Sequence, residues 1–251
     1  MSQAWLLASR ALREGWRTPE ALVPTLFIPL FFLVVNVGQA AKIFPGKTTP
    51  FLHGQGYGAF QLPASLLLAA SFGTAALFLV EEIEGGYFDK LRAAPIPRSS
   101  IVLGRLIAEG VKGIGIAAAI VALAIVFGIS IASGVLGFIL LVLMSAGWAV
   151  VFAGYMQLIA LKTRSAAATN SAGLIFFPLL FLTPNFVPRD MLTRPMEIAA
   201  TINPVTYVME GLRSLVLVDL NWTDILQGFA VVAVAGAVML ALSVRMINHY
   251  D

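Results

Sequence analysis

Between Gly113 and Leu161 the chain runs for 49 residues without one charged side chain. As a single helix rising 1.5 Å per residue, this run would extend about 74 Å. That is more than twice the ~30 Å hydrocarbon thickness of a bilayer. It therefore has to turn back and cross twice, and the natural turn is Gly128-Ile-Ser-Ile-Ala-Ser-Gly134.

The rest of the sequence has the same character. Of 251 residues, 59% are hydrophobic and only 12% are charged, against about 25% charge in an ordinary soluble domain. Too little polar side chain is available to coat a water-facing surface, so the bilayer must be the solvent for most of the chain. Charge-poor runs place six transmembrane helices at 21–41, 60–80, 108–128, 135–161, 166–187 and 224–245. The fold class expected is an all-α membrane protein, with 1–251 as a single transmembrane domain.

Orientation follows from the loops, because Lys and Arg accumulate on the cytoplasmic side. With the N-terminus inside, ten basic residues (Arg10, Arg13, Arg17, Lys90, Arg92, Arg98, Arg105, Lys162, Arg164, Arg245) face the cytoplasm. Five (Lys42, Lys47, Arg189, Arg194, Arg213) lie outside. Both termini are expected in the cytoplasm of a multi-pass inner-membrane protein. Gly38-Gln-Ala40 resembles a weak signal-peptide cleavage site, but the basic region before it is too long and Pro24 and Pro29 interrupt the apolar run; no cleavage is expected.

Three segments are not spans. Residues 1–18 read as an interfacial helix, with Trp5, Ala8, Leu12 and Trp16 on one face and Arg10, Arg13, Glu14 and Arg17 on the other. Residues 84–95 follow the second span and hold a short charged helix stopped by Pro95 and Pro97. Within it Phe88 and Leu91 share a face, and Asp89 and Arg92 form an i,i+3 pair. Such a helix suits docking to a partner, and it equally suits a solvated loop that only sets topology. Residues 188–220 are broken by prolines into short outer helices, one carrying the apolar stripe Val205, Val208, Leu212, Leu215 and Val216.

The chemistry absent from the sequence narrows the function. There is no cysteine, and the two histidines, His53 and His249, are far apart; no catalytic, metal or cofactor-binding residues are expected. Gly46-Lys47-Thr48 resembles the tail of a P-loop, but position 41, where the motif needs glycine, is alanine. Glu109 and Lys112 are the only charges of the third span's inner part and are expected to pair, so a proton relay has little support. Asn36, Gln61, Asn170 and Phe177 are candidates for a substrate path, although the polar ones also suit bonds between helices.

Three further patterns are similar to those of type-2 ABC exporter permeases. They are Leu12-Arg-x-x-x-Arg17-x-Pro19; Glu82-x-Glu84-Gly85 with Leu91, Pro95-Ile-x-Arg98 and Gly104; and Asn203-Pro-Val-Thr-Tyr-Val-Met-Glu210-Gly-Leu-Arg213. They occur in register along nearly the whole chain. The resemblance implies an N-terminal connecting helix, a coupling helix after span two, and short outer helices before span six. It implies a second permease subunit, identical or homologous, and two ABC ATPase subunits that carry ATP and Mg2+, so that this chain is not itself an enzyme. Glu82, Glu84, Gly85, Phe88, Asp89, Leu91, Arg92, Pro95 and Arg98 become the expected ATPase contacts. Where the family usually has Glu-Arg before its glycine, this chain has Glu81-Glu82. The expected partners are these subunits and membrane lipid, not nucleic acid. The drug and antibiotic-resistance branch is preferred for the cargo, with (glyco)lipid or polysaccharide export as the alternative. A non-transporting structural or regulatory membrane protein and an intramembrane hydrolase are the rivals from other classes.

Overall fold

The computed structural model describes residues 3–73 and 75–249, all of whose regular elements are helical. The helices are α1 (Gln3–Arg17), α2 (Pro19–Ala40), α3 (Tyr57–Ala70), α4 (Ala75–Glu84), α5 (Tyr87–Ala93), α6 (Arg98–Val126), α7 (Gly134–Thr163), α8 (Ala166–Gly173), α9 (Phe176–Phe181), α10 (Arg194–Ile202), α11 (Pro204–Leu217) and α12 (Trp222–Asn248). Among the described residues four are long and apolar enough to cross a membrane: α2, α6, α7 and α12.

The long charge-free run does turn back near Gly128 and Gly134, both of which adopt positive φ, and gives the helices α6 and α7. α7 is the central helix, packed by α6 on one side and α12 on another. Small residues set the first contact. A Cβ on Gly113 of α6 would lie 3.1 Å from the Ala146 Cα and 3.1 Å from the Ala149 Cβ of α7. Small residues thus bring helices of one chain together, as close packing in lipid requires. Gly113→Val is therefore expected to push α6 off α7 and to cost about 1–3 kcal/mol of overpacking. Thermal melting of the detergent-solubilised chain checks this, with Gly115→Val as the control, because a Cβ at Gly115 meets nothing within 4 Å.

The expected spans at 60–80 and 166–187 are each two shorter helices. The first breaks after Ala70. Ser71 back-bonds to the Leu67 carbonyl at 2.9 Å and its Oγ accepts the Trp148 indole N–H at 3.0 Å. Serine back-bonding bends helices, and Gly73 follows. The resulting α3 is about 21 Å long at 1.5 Å per residue, shorter than the bilayer core, and buried along its whole length. The second break, at Leu174 and Ile175, has a different cause. Pro178 has no N–H and its ring crowds the carbonyl four residues back, which is that of Leu174.

α1 lies against the start of α6, where a Cβ on Gly104 would come within 2.7 Å of the Leu7 Cβ. Ala8 is fully buried there and Trp5 remains exposed, while the Trp16 side chain is outside the described residues. Arg98 Nη1 donates to the Asn248 carbonyl at 3.1 Å, so the start of α6 and the end of α12 meet at the same end of the bundle as α1. At the opposite end, the N–H of Ala132 donates to the Val216 carbonyl at 3.0 Å, tying the α6–α7 turn to α11. All five residues of the apolar stripe on α11 are fully buried. That helix starts on Asn203, whose side chain accepts the Val205 N–H, with Pro204 in the first helical position.

Candidate functional site

The bundle carries two regions of functional chemistry, a charged cluster at the end holding α1 and a half-open apolar cavity between helices. The cluster is centred on Glu82, near the end of α4. Its Oε1 accepts from Arg10 of α1 and its Oε2 from Arg105 of α6, so one carboxylate holds three helices together. Arg105 and Glu82 are buried, and the Arg10 guanidinium also lies 4.8 Å from the Tyr87 ring centroid. Burial works against the charged form of Arg10, but the Glu82 carboxylate outweighs it and holds the pKa above the ordinary arginine value. Sequence reasoning placed Arg10 on a face toward lipid headgroups and Glu82 on the ATPase; within this chain Glu82 is buried and Arg10, still partly exposed, is bonded to it. Arg105, counted only as a topology charge, is the partner that reading missed. Its signal was a charged residue seven positions into α6, ahead of the Glu109 and Lys112 charges on the same helix.

The segment 84–95 contains α5, which begins after Gly86 at φ +70°, a left-handed turn suited to glycine. Asp89 and Arg92 pair at 3.3 Å. Phe88, expected to present an apolar docking face, is only 1% exposed and packs into the core of its own chain, with Leu91 half-buried beside it. A seven-residue helix cannot hold itself in water, so its largest apolar side chain serves as an internal anchor. Exposed at this corner are the charged Glu81, Glu84, Asp89, Lys90 and Arg98, together with Gly85, Tyr87, Ala93, Pro95 and Pro97.

The two helix breaks face each other and line a half-open cavity of about 480 Å³ between α2, α7 and the α3–α4 and α8–α9 breaks. Phe72, Met156, Phe176 and Phe177 line it, with Thr25, Ser71, Asn170 and Ser171 as its polar groups. Phe72 and Phe177 meet edge to face at 6.3 Å. A smaller cavity of about 90 Å³ adjoins it, sharing Leu68 and Phe177 and adding Asn36, Phe181 and Asn185. Of the four residues proposed from sequence for a path, Asn36, Asn170 and Phe177 line these cavities and Gln61 does not. Gln61 is 1% exposed and donates to the Tyr57 hydroxyl at 2.8 Å and the Asn185 carbonyl at 2.9 Å. It is a helix-to-loop tie. Phe72 and Ser71 were missed because span two was read as one unbroken helix.

Glu109 and Lys112 pair, both buried, on α6. The Gly46-Lys47-Thr48 tripeptide lies in a loop after α2, where a Cβ on Gly46 would clash with the Gln55 carbonyl at 2.1 Å. The glycine that suggested a P-loop serves close backbone packing. Among the described residues no group of three or more His, Cys, Asp or Glu could hold a metal ion.

An all-helical bundle in which several helices are long and apolar enough to cross a membrane defines the class of integral membrane proteins. The chain belongs to the ABC-2 type transporter family, which it matches over residues 2–217. It is 24% identical over 249 residues to the daunorubicin resistance ABC transporter permease protein DrrB1 of Streptomyces coeruleorubidus, an alignment covering 96% of this chain and 84% of that relative. The family is that of the membrane subunit and not of the ATPase, and it works with an ABC ATPase partner in general.

Proposed function

We propose that this chain is the permease subunit of an ATP-driven exporter that moves a hydrophobic or amphipathic compound, a drug, antibiotic or lipid-like molecule, out of the cytoplasm or inner leaflet. The observation that carries this reading is the aromatic-lined cavity at the paired helix breaks. Its volume of about 480 Å³ lies within the ~300–1,000 Å³ typical of small-molecule sites. Its few polar groups suit an amphipathic cargo better than a polysaccharide, which would need a polar lining. The named resistance function of the relative supports the same cargo class.

In this reading ATP and Mg2+ belong to two separate ATPase subunits, a second permease completes the assembly, and both termini lie in the cytoplasm. The exposed charges of Glu84, Asp89, Lys90 and Arg98 meet the ATPase, and Glu82 passes motion of α5 to α1 and α6.

The test is reconstitution with an ABC ATPase in proteoliposomes, measuring ATP-dependent efflux of aromatic amphiphiles. Phe177→Ala removes an aromatic contact worth about 1 kcal/mol and is expected to lower apparent affinity about fivefold. Val234→Ala, on an exposed position of α12, is expected to leave it unchanged. Absence of ATP-dependent movement of any such compound would overturn the proposal, as would equal effects of the two substitutions.

A further inference from the structure

We propose that the groove between the ends of α7 and α12 is a binding site for an anionic phospholipid of the leaflet at that end of the bundle. The groove has a volume of about 590 Å³. Leu158 and Leu242 line its part nearer the bundle middle, with Met246 beside them, and Lys162, Arg245 and His249 line its outer part. Apolar surface below and cations above is the arrangement that a phospholipid presents in reverse, with acyl chain inward and phosphate at the boundary.

Three observations support lipid as the occupant. Lys162 and Arg245 are exposed and neither is ion-paired to another described residue. Leu242 is 44% exposed in the same groove, which favours a hydrocarbon chain over a soluble ligand. Each cation also stands in the last turn of a helix, where the carbonyl ends favour positive charge, so both are held at the membrane boundary without a protein carboxylate. Basic pockets between membrane helices hold lipid headgroups by the same attraction. This site is separate from the aromatic cavity and stands whether or not that cavity carries a cargo.

Native mass spectrometry of the full chain, delipidated in detergent and then titrated with phosphatidylglycerol or phosphatidylcholine, tests the proposal. The wild type is expected to retain one phosphatidylglycerol in preference to phosphatidylcholine. Each basic residue near a membrane surface contributes about 1 kcal/mol, so Lys162→Gln with Arg245→Gln should reduce that preference roughly thirtyfold. Lys162→Arg should keep it, and Arg194→Gln at the opposite end should leave it unchanged. If the double variant does not fold, Lys162→Gln alone should lower the preference about fivefold. Equal binding of the two lipids by the wild type, or an undiminished preference in the Lys162→Gln variant, would overturn it.

Discussion

Glu82→Gln is expected to destabilise the bundle by about 3–5 kcal/mol, the usual cost of removing one partner from a buried ionic group. The carboxylate holds Arg10 and Arg105 together, and glutamine would leave two guanidinium groups side by side, one of them almost fully buried. Neither could be neutralised by losing its proton, because guanidinium stays charged in proteins. The damage is expected in the docking of α1 as well as in global melting, since Arg10 is bound to this carboxylate. Thermal melting in detergent is the measurement. Glu82→Gln combined with Arg105→Met should recover part of the loss, because deleting both members of a pair is less costly than orphaning one. Glu84→Gln, two residues on and exposed, should fall within about 0.5 kcal/mol of wild type. A Glu82→Gln protein that melts with the wild type would show that the cluster is not what joins these helices.

The second large effect is expected at Phe88. Truncating a fully buried phenylalanine typically costs about 3–5 kcal/mol. Here the loss should be concentrated in α5, a short helix at the edge of the bundle with few other contacts, since weakly held segments open without global unfolding. Limited trypsin digestion reads this directly, because Lys90 is exposed within the same helix. Phe88→Ala should speed cleavage there by about a hundredfold if some 3 kcal/mol of local stability is lost. Leu91→Ala, half-buried, should act in the same direction and less. Tyr87→Phe keeps the ring that Arg10 covers at 4.8 Å and should leave digestion unchanged. Unchanged digestion in Phe88→Ala would return this residue to the docking role expected from its place in the sequence. Loss of ATPase association in the same variant would follow from the loosened helix, so digestion and association need to be measured together.

These two residues mark where sequence reasoning stopped. The all-helical membrane class followed from composition, since 12% charge cannot coat a water-facing surface. The return of the chain near residue 130 followed from the length of the charge-free run, because bilayer thickness sets a hard limit on one helix. The Asp89–Arg92 pair and the apolar face of α11 followed from helical spacing, which is local and periodic. Asn170 and Phe177 were legible as candidates only because polar and aromatic groups in an apolar run are few.

Tertiary structure alone decided the rest. That Glu82 meets Arg10 and Arg105, residues 72 and 23 positions away, is a long-range contact with no periodic signature. Whether Phe88 faces its own chain or a partner depends on what packs beside α5, and both choices leave the same seven-residue pattern. The break of α3 from α4 depends on Trp148 reaching Ser71 from another helix. The break of α8 from α9 was written locally in Pro178, but the cavity it helps to form exists only because the two breaks meet. Lipid, acting as solvent, sets how much apolar chain must be helical; which side chains close around an ion pair or a cavity is set by packing between segments far apart in sequence.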